Sequence, residues 1–323
     1  MEYRTLGRTG LLVSRLCLGT MNFGPKTPET ACRKLMSMAL DCGINFFDTA
    51  DIYGWREGEG WTENIIGQWL KEDLHRRDSL ILSTKVYGSM GQDPNSRGLS
   101  AYHIRRACEA SLKRLQTDHV DLYQLHHVDR NIPWEEIWQA LDQLVHEGKI
   151  TYCGSSNFAA WHIATANQEA SKRDLLGLVS EQSRYNLASR LVELEVIPCC
   201  RFYGMAFLPW SPLAGGLLAG NALQEPIGRR TSEKTCALAK QDRQRLDRFL
   251  KICAELGEEP AVVALAWLLS NPSVTAPVIG PRTADQLISS LRLFEIKLDS
   301  AALTALNEIW PAPGGEAPEA YAW

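Results

Sequence analysis

The sequence predicts an α/β protein built as a closed (β/α)8 barrel, a TIM barrel, with an N-terminal β-hairpin and a C-terminal tail. Strand-like and helix-like segments alternate with short turns from about Leu16 onward, the pattern of parallel β/α units. Several strand-like segments are nearly continuous hydrophobic runs, as expected for parallel strands buried on both faces. Because there are eight of them, a closed barrel is the first interpretation, and a doubly wound open sheet is the alternative.

The chain begins with the predicted hairpin. Tyr3–Leu6 and Leu12–Ser14 flank a Gly-Arg-Thr-Gly turn, and we expect them to close the bottom of the barrel. The eight predicted strands are Arg15–Leu18, Ile44–Phe47, Leu80–Thr84, Val120–Leu125, Ile150–Gly154, Leu178–Glu181, Met205–Pro209 and Pro277–Ile279. No linker rich in Gly, Pro or Ser divides the chain, so residues 1–323 are expected to form one domain.

Helical periodicity appears between the strands. The segment from Ser100 to Leu115 carries an apolar stripe at helical spacing, with Ser100 as the expected N-cap. The segment from Pro133 to Glu147 begins with a proline, which is expected in the first turn, and ends before Gly148. The rhythm breaks at 221–240 and in the tail from Pro311 to Trp323.

Composition limits the classes of function. The chain has 323 residues, 45% of them hydrophobic and 22% charged, and a formal net charge of -4. This balance argues against a nucleic-acid partner, which would need a basic face. The nine cysteines form no C-x-x-C pair, which favours a reducing compartment. The start of the sequence lacks a signal-peptide pattern, and no apolar run reaches about 18 residues. We therefore expect a cytoplasmic protein with no membrane partner.

Four titratable residues carry the chemical prediction. Asp48, Tyr53, Lys85 and His126 each lie where a hydrophobic run gives way to a polar loop. If the runs are parallel barrel strands, all four side chains gather at the C-terminal rim, where barrel enzymes place their active sites. Each residue alone could be structural, as an N-cap, a solvated strand end, a packed loop imidazole or a rim aromatic. The prediction depends on the combination.

Several other chemistries find no support in the motifs. No G-x-G-x-x-G follows the first strand, and no G-x-S-x-G is present. His126 and His127 are adjacent, and on an extended strand they would point to opposite faces, so no metal site is predicted. A phenol has a reference pKa of about 10, which a nearby ammonium lowers. A tyrosine beside a lysine, an aspartate and a histidine therefore suits protonation of a developing alkoxide. The matching hydride must come from a cofactor.

The chain also resembles the aldo-keto reductase superfamily over nearly its whole length. Seven segments in the family's order carry the resemblance: 18–21, 46–54, 83–85, 111–115, 121–126, 154–158 and 210–217. The resemblance implies a (β/α)8 barrel that binds NADPH without a Rossmann fold. It makes Tyr53 the general acid, with Lys85 and Asp48 tuning its pKa and His126 orienting the carbonyl.

The same resemblance implies a set of cofactor-binding residues. Ser156, Asn157 and Gln182 would hold the nicotinamide carboxamide, and Trp210 would stack on its ring. Arg282, at the start of a helix, would take the 2′-phosphate. The remaining implied positions are Gly19, Thr20, Met21, Ser211, Leu213, Gly215, Gly280, Gln286 and Ser290. The chain departs from the family at Ser289 and Ser290, where the family usually has Glu and Asn residues that help to hold the adenine end of the cofactor.

The substrate is less well defined by the sequence. Trp55, Trp61 and Tyr87 would either wall an aromatic pocket or brace the loop after Tyr53. The tail resembles those of bacterial members, including reductases of nucleotide-activated deoxysugars, which makes a keto-sugar one candidate beside aldehydes and ketones in general. A regulatory subunit like the potassium-channel β subunits, and an NADH-linked alcohol oxidation, stay as alternatives. The sequence does not predict the oligomeric state.

Overall fold

The structure is a computed structural model that describes residues 1–54, 60–73, 75–220 and 242–322. Trp55 and the segment 221–240 thus lie outside the described residues. The strands are β1 Tyr3–Thr5, β2 Leu12–Ser14, β3 Cys17–Gly19, β4 Phe46–Asp48, β5 Ile81–Val86, β6 Val120–Leu125, β7 Ile150–Ser156, β8 Leu178–Gln182, β9 Ala206–Phe207 and β10 Val278–Ile279. The helices are α1 Glu29–Asp41, α2 Trp61–Lys71, α3 His75–Asp78, α4 Ala101–Leu115, α5 Trp134–His146, α6 Ala160–Ser171, α7 Val196–Phe202, α8 Arg243–Glu255, α9 Pro260–Ser270, α10 Ala284–Leu291, α11 Ser300–Ile309 and α12 Glu319–Ala322.

Eight of these strands form one parallel sheet in the order β10-β3-β4-β5-β6-β7-β8-β9. The two end strands meet through parallel bridges, in which Thr275 N donates to Phe207 O at 2.9 Å and Val278 N donates to Pro209 O at 2.8 Å. The sheet therefore closes on itself, with helices outside it. The predicted (β/α)8 barrel is confirmed, and the open sheet is not found.

Each predicted strand has a counterpart, although most bounds shift by one or two residues. The shift matters at Lys85, which lies inside β5 and not in the loop after it. Ser100 caps α4 as predicted, since its side chain accepts from His103 N. Pro133 precedes the first residue of α5 and is its N-cap, so the expectation of a proline inside the first turn was wrong by one position.

The hairpin closes the end of the barrel where the strands begin. β1 and β2 pair antiparallel, with Tyr3 opposite Ser14. Leu6 and Val13 are fully buried and pack inside the barrel against the first residues of several strands, among them Phe46 and Val179. A second and larger apolar cluster lies between the strands and the surrounding helices. With the bottom filled in this way, the cavity at the opposite rim is where ligands can enter.

Candidate active site

Lys85 contacts two of the other predicted residues, Asp48 and Tyr53, at the rim. Its ammonium is completely buried and donates to Asp48 Oδ2 at 2.5 Å, to Thr49 O at 2.8 Å and to Tyr53 OH at 3.3 Å. Burial alone would lower the pKa of Lys85, but the Asp48 carboxylate and the Tyr53 hydroxyl raise it above its ordinary value. The side chain is therefore a fixed cation beside the phenol oxygen. β4 and β5 create this contact because they are neighbours in the barrel.

Asp48 is held by a layer of polar side chains that the sequence reasoning missed. Its Oδ1 accepts from Ser83 Oγ at 3.1 Å, from Gln124 Nε2 at 2.9 Å and from Gln182 Nε2 at 2.9 Å. Gln182, predicted to bind a cofactor, thus also supports the catalytic candidate. The side chain of Gln124 needs the space beside Gly154, where a Cβ would lie 3.2 Å from Gln124 Cγ and 2.4 Å from Ser180 Oγ.

His126 completes the group of four. Its ring lies 6.0 Å from the ring of Tyr53, centroid to centroid, in an edge-on arrangement. Burial, with smaller effects from Lys85 and His127, lowers the pKa of His126 well below its ordinary value. A neutral imidazole can donate one hydrogen bond and accept another. The four side chains therefore come together at the rim as expected, with a cation, a phenol and a neutral imidazole around one point.

The expectation that His126 and His127 point to opposite faces was wrong. Their rings stack at 5.6 Å with an interplanar angle of 12°, and both residues line the same cavity. The reason is that β6 ends at Leu125, so the two histidines lie in the following loop, where side chains no longer alternate. Among the described residues, no group of three or more His, Cys, Asp or Glu side chains is arranged to hold a metal ion.

The ends of β7 and β8 form a second polar group next to the four residues. Asn157 adopts a left-handed backbone conformation with φ of 61°. Its amide donates to His126 O at 3.1 Å and accepts from Trp210 Nε1 at 3.0 Å, while Ser156 Oγ donates to Gln182 O at 2.9 Å. Ser156, Asn157, Gln182 and Trp210 all line the cavity. An amide group of a ligand could bind here.

Glu181, which was not predicted, fixes this group from behind. Its carboxylate is completely buried and accepts from Ser155 Oγ at 2.5 Å, from Ser183 Oγ at 2.6 Å and from Phe158 N at 3.1 Å. Burial raises its pKa to about 7, although these hydrogen bonds act in the opposite direction. Glu181 thus ties the loop after β7 to the end of β8.

One cavity of about 810 Å³ contains most of the predicted site. Asp48, Tyr53 and His126 line it, whereas Lys85 is buried behind them. The predicted cofactor residues along it are Gly19, Met21, Ser156, Asn157, Gln182, Trp210, Ser211, Leu213, Gly215, Gly280, Arg282, Gln286 and Ser290. Thr20 is an exception, because it is fully buried and its hydroxyl donates to Asp48 O at 2.9 Å, so it supports the loop. Lining residues that the sequence reasoning missed include Asn22, Lys26, Glu259 and Asp285.

The wall formed by residues 211–216 fits a phosphate-containing ligand. Gly215 and Gly216 have φ of 70° and 103°, and Gly215 N donates to Ser211 Oγ at 3.1 Å. Glycine permits this turn and, because it has no side chain, lets a ligand come close to the backbone. At Gly19, which also lines the cavity, a Cβ would lie 2.6 Å from Val278 Cγ1, so a side chain there would force Val278 to move. A cavity of this volume that combines amide-binding side chains, a glycine turn and Arg282 suits a dinucleotide.

Comparisons with known proteins show what the chain is similar to. The model of the Aldo/keto reductase family matches residues 15–311. The chain is similar to the uncharacterized oxidoreductase YrpG of Bacillus subtilis (strain 168), at 55% identity over 100% of both chains. It is also similar to a probable voltage-gated potassium channel subunit beta of Oryza sativa subsp. japonica, at 36% identity over 92% of each chain. Versiconal hemiacetal acetate reductase of Aspergillus parasiticus is 33% identical over 95% of this chain and 96% of its own length.

Proposed function

The chain belongs to the aldo/keto reductase family, and on this premise we propose that it is an NADPH-dependent reductase that converts an aldehyde or ketone to an alcohol. The family assignment and the similarity to YrpG make it an oxidoreductase, and members of this family typically use nicotinamide cofactors. The observation that supports carbonyl reduction, with Tyr53 as the proton donor, is the buried contact of Lys85 with both Asp48 and Tyr53 at the floor of the cavity.

The proposed reaction needs one proton donor and one orienting group. When bound, NADPH would supply the hydride. Tyr53 would give its phenolic proton to the carbonyl oxygen as negative charge develops there, and Lys85 would stabilise the phenolate that remains. His126, neutral because of its lowered pKa, would donate a hydrogen bond to the same oxygen and set its position.

The cofactor-binding roles are part of the same proposal. Ser156 and Asn157 would hold the carboxamide of the nicotinamide, and Trp210 would cover its ring. The hydrogen bond from Trp210 to Asn157 would hold these two side chains in fixed positions relative to each other. Gln182 would act mainly through Asp48, because its amide already donates there. Arg282 would bind the 2′-phosphate through its guanidinium.

A screen of aldehydes, ketones and keto-sugars with purified protein tests the proposal. We expect NADPH consumption that depends on the carbonyl compound, and slower consumption with NADH. Running the reverse reaction with alcohols and NAD⁺ or NADP⁺ tests the alternative of alcohol oxidation. Absence of turnover across the screen in a protein that still binds NADPH would favour a second candidate, a cofactor-binding regulatory subunit. The observation that supports this second candidate is the similarity to a probable voltage-gated potassium channel subunit beta.

A further inference from the structure

Two helices, α9 and α10, form the part of the cleft that is contributed by the last units of the barrel. Glu259 and Ala261 at the start of α9 line the cavity together with Ser289 and Ser290 of α10. Arg282 lies before α10 on the same cavity. If the nicotinamide binds beside Asn157 and a phosphate binds at Arg282, the base at the other end of the dinucleotide has to lie against these helices.

The side chain of Glu259 reaches from one helix to the next. It is the N-cap residue of α9, but glutamate is not among the residues whose side chains usually accept a hydrogen bond from the first turn of their own helix. Glu259 makes no such bond. Its Oε2 instead accepts from Ser289 Oγ on α10, at 2.6 Å. This hydrogen bond fixes a carboxylate at the edge of the cleft, between two elements that both line it.

The chemistry of a carboxylate restricts what it can recognise. It is an acceptor only, with about four lone-pair directions, of which Ser289 uses one. A phosphate, which is also an anion, would be repelled. The exocyclic amine of adenine is a suitable donor, whereas hypoxanthine has a carbonyl oxygen at the same place and would face the carboxylate acceptor to acceptor. Ser290 Oγ, which donates to Gln286 O at 2.7 Å within its own helix, carries no charge and is a weaker acceptor for an amine than the Glu259 carboxylate.

We infer that Glu259, oriented by Ser289, recognises the exocyclic amine of the cofactor's adenine and is a specificity-determining residue of this cleft. The inference rests on the proposed function, because it assumes that a nicotinamide dinucleotide binds here. In this arrangement the contact to the base comes from α9, and Ser289 acts as the positioning residue.

Four dinucleotides test the inference: NADPH, NADH, and the analogue of each in which hypoxanthine replaces adenine. Dissociation constants are measured by quenching of tryptophan fluorescence for the full-length protein and three variants. The wild type is expected to prefer the amine by about tenfold, the lower end for a hydrogen bond to a charged group. Glu259→Ala should abolish this preference with either cofactor, and Ser289→Ala should reduce it. Glu258→Gln is the matched control, since it removes a neighbouring carboxylate that is held by Arg292 at 2.8 Å, and it should keep the preference.

The outcomes separate the inference from the function on which it depends. An unchanged preference for the amine in Glu259→Ala would overturn the inference. A change in the ratio of NADPH to NADH affinity, with the preference for the amine intact, would also overturn it and place the carboxylate against the ribose. If none of the four dinucleotides binds the wild type, the proposed function itself fails, and the inference fails with it.

Discussion

Lys85 and Asp48, beside the proposed proton donor Tyr53, should affect stability as well as catalysis when either is lost. Lys85 and Asp48 form a completely buried ion pair at 2.5 Å. Lys85→Met would leave a buried carboxylate without its cation, and breaking a buried pair on one side costs about 3–5 kcal/mol. We expect a loss of unfolding free energy near the lower end of that range, because Ser83, Gln124 and Gln182 still donate to Asp48.

The double variant Lys85→Met/Asp48→Asn separates stability from catalysis. Neutralising both partners should recover much of the unfolding free energy lost in the single variant, while carbonyl reduction stays low, since the cation beside Tyr53 is absent. Denaturant unfolding and turnover are measured on the same preparations. Recovery of turnover together with stability would mean that Lys85 has a purely structural role.

Arg282 is expected to act through a single contact, with the 2′-phosphate of the cofactor. A guanidinium on the 2′-phosphate is a charge-assisted hydrogen bond worth about 1.5–3 kcal/mol, or about 10- to 150-fold in affinity. Arg282→Ala should weaken NADPH by about that factor and leave NADH nearly unchanged. Titration of both cofactors by fluorescence quenching measures this, and equal losses for the two would show that Arg282 does not bind the phosphate.

Glu181 links β7 and β8, and its buried carboxyl should make the free energy of unfolding depend on pH. Its pKa is raised from 4.5 to about 7 in the folded protein. The folded state therefore holds this proton more tightly than the unfolded state, so protonation favours folding. The contribution of this protonation to the free energy of unfolding is fully present below about pH 4.5 and is lost as the pH rises through about 7. The shift corresponds to roughly 3 kcal/mol.

Glu181→Gln should remove that dependence. Compared with the wild type, the variant should gain unfolding free energy steadily between about pH 4.5 and 7, with a flat difference above. Glu295→Gln, at an exposed position, is the control and should give a flat difference throughout. Asp51, a buried carboxylate whose pKa is also raised by burial, is unchanged in both variants, so its titration cancels in the comparison. A pH-independent difference for Glu181→Gln would contradict the assignment.

The two ends of the barrel have different roles. Buried side chains of the hairpin stabilise the end where the strands begin, and the candidate site lies at the opposite rim. Leu6 is fully buried where the hairpin fills the bottom, whereas Leu12 in the same hairpin is 55% exposed. Leu6→Ala should cost about 2–5 kcal/mol of unfolding free energy, as for other large-to-small changes in a core. Leu12→Ala should cost far less. Both variants should keep the kcat and KM of the wild type at a temperature where they are folded, and a changed KM in Leu6→Ala would mean that the hairpin affects the rim.

The sequence was most informative where a pattern repeats or a motif is contiguous. The hydrophobic runs predicted all eight strands, and their C-terminal ends predicted the gathering of Asp48, Tyr53, Lys85 and His126. It was less informative where contacts depend on strand register. Nothing local in the sequence indicates that Gln124 crosses to Asp48, or that Gly154 leaves space for it.

The sequence also did not predict the directions of side chains in loops and between helices. The stacking of His126 on His127 depends on where β6 ends, to within one residue. The contact of Glu259 with Ser289 joins two residues that are 30 positions apart in the chain. In the described parts of the chain, no helix is both long enough and apolar enough to cross a membrane. The single domain, the cytoplasmic location and the absence of nucleic-acid and membrane partners stay predictions.

The most direct test of the central claim is the rate of carbonyl reduction by Tyr53→Phe, measured with saturating NADPH beside the NADPH affinity of the same variant. The substitution removes only the phenolic oxygen, which lies 3.3 Å from Lys85 Nζ, and keeps the ring. We predict a fall in rate of roughly 10²- to 10⁴-fold, the usual contribution of a positioned acid, with NADPH affinity nearly unchanged. Turnover equal to that of the wild type would show that Tyr53 is not the proton donor.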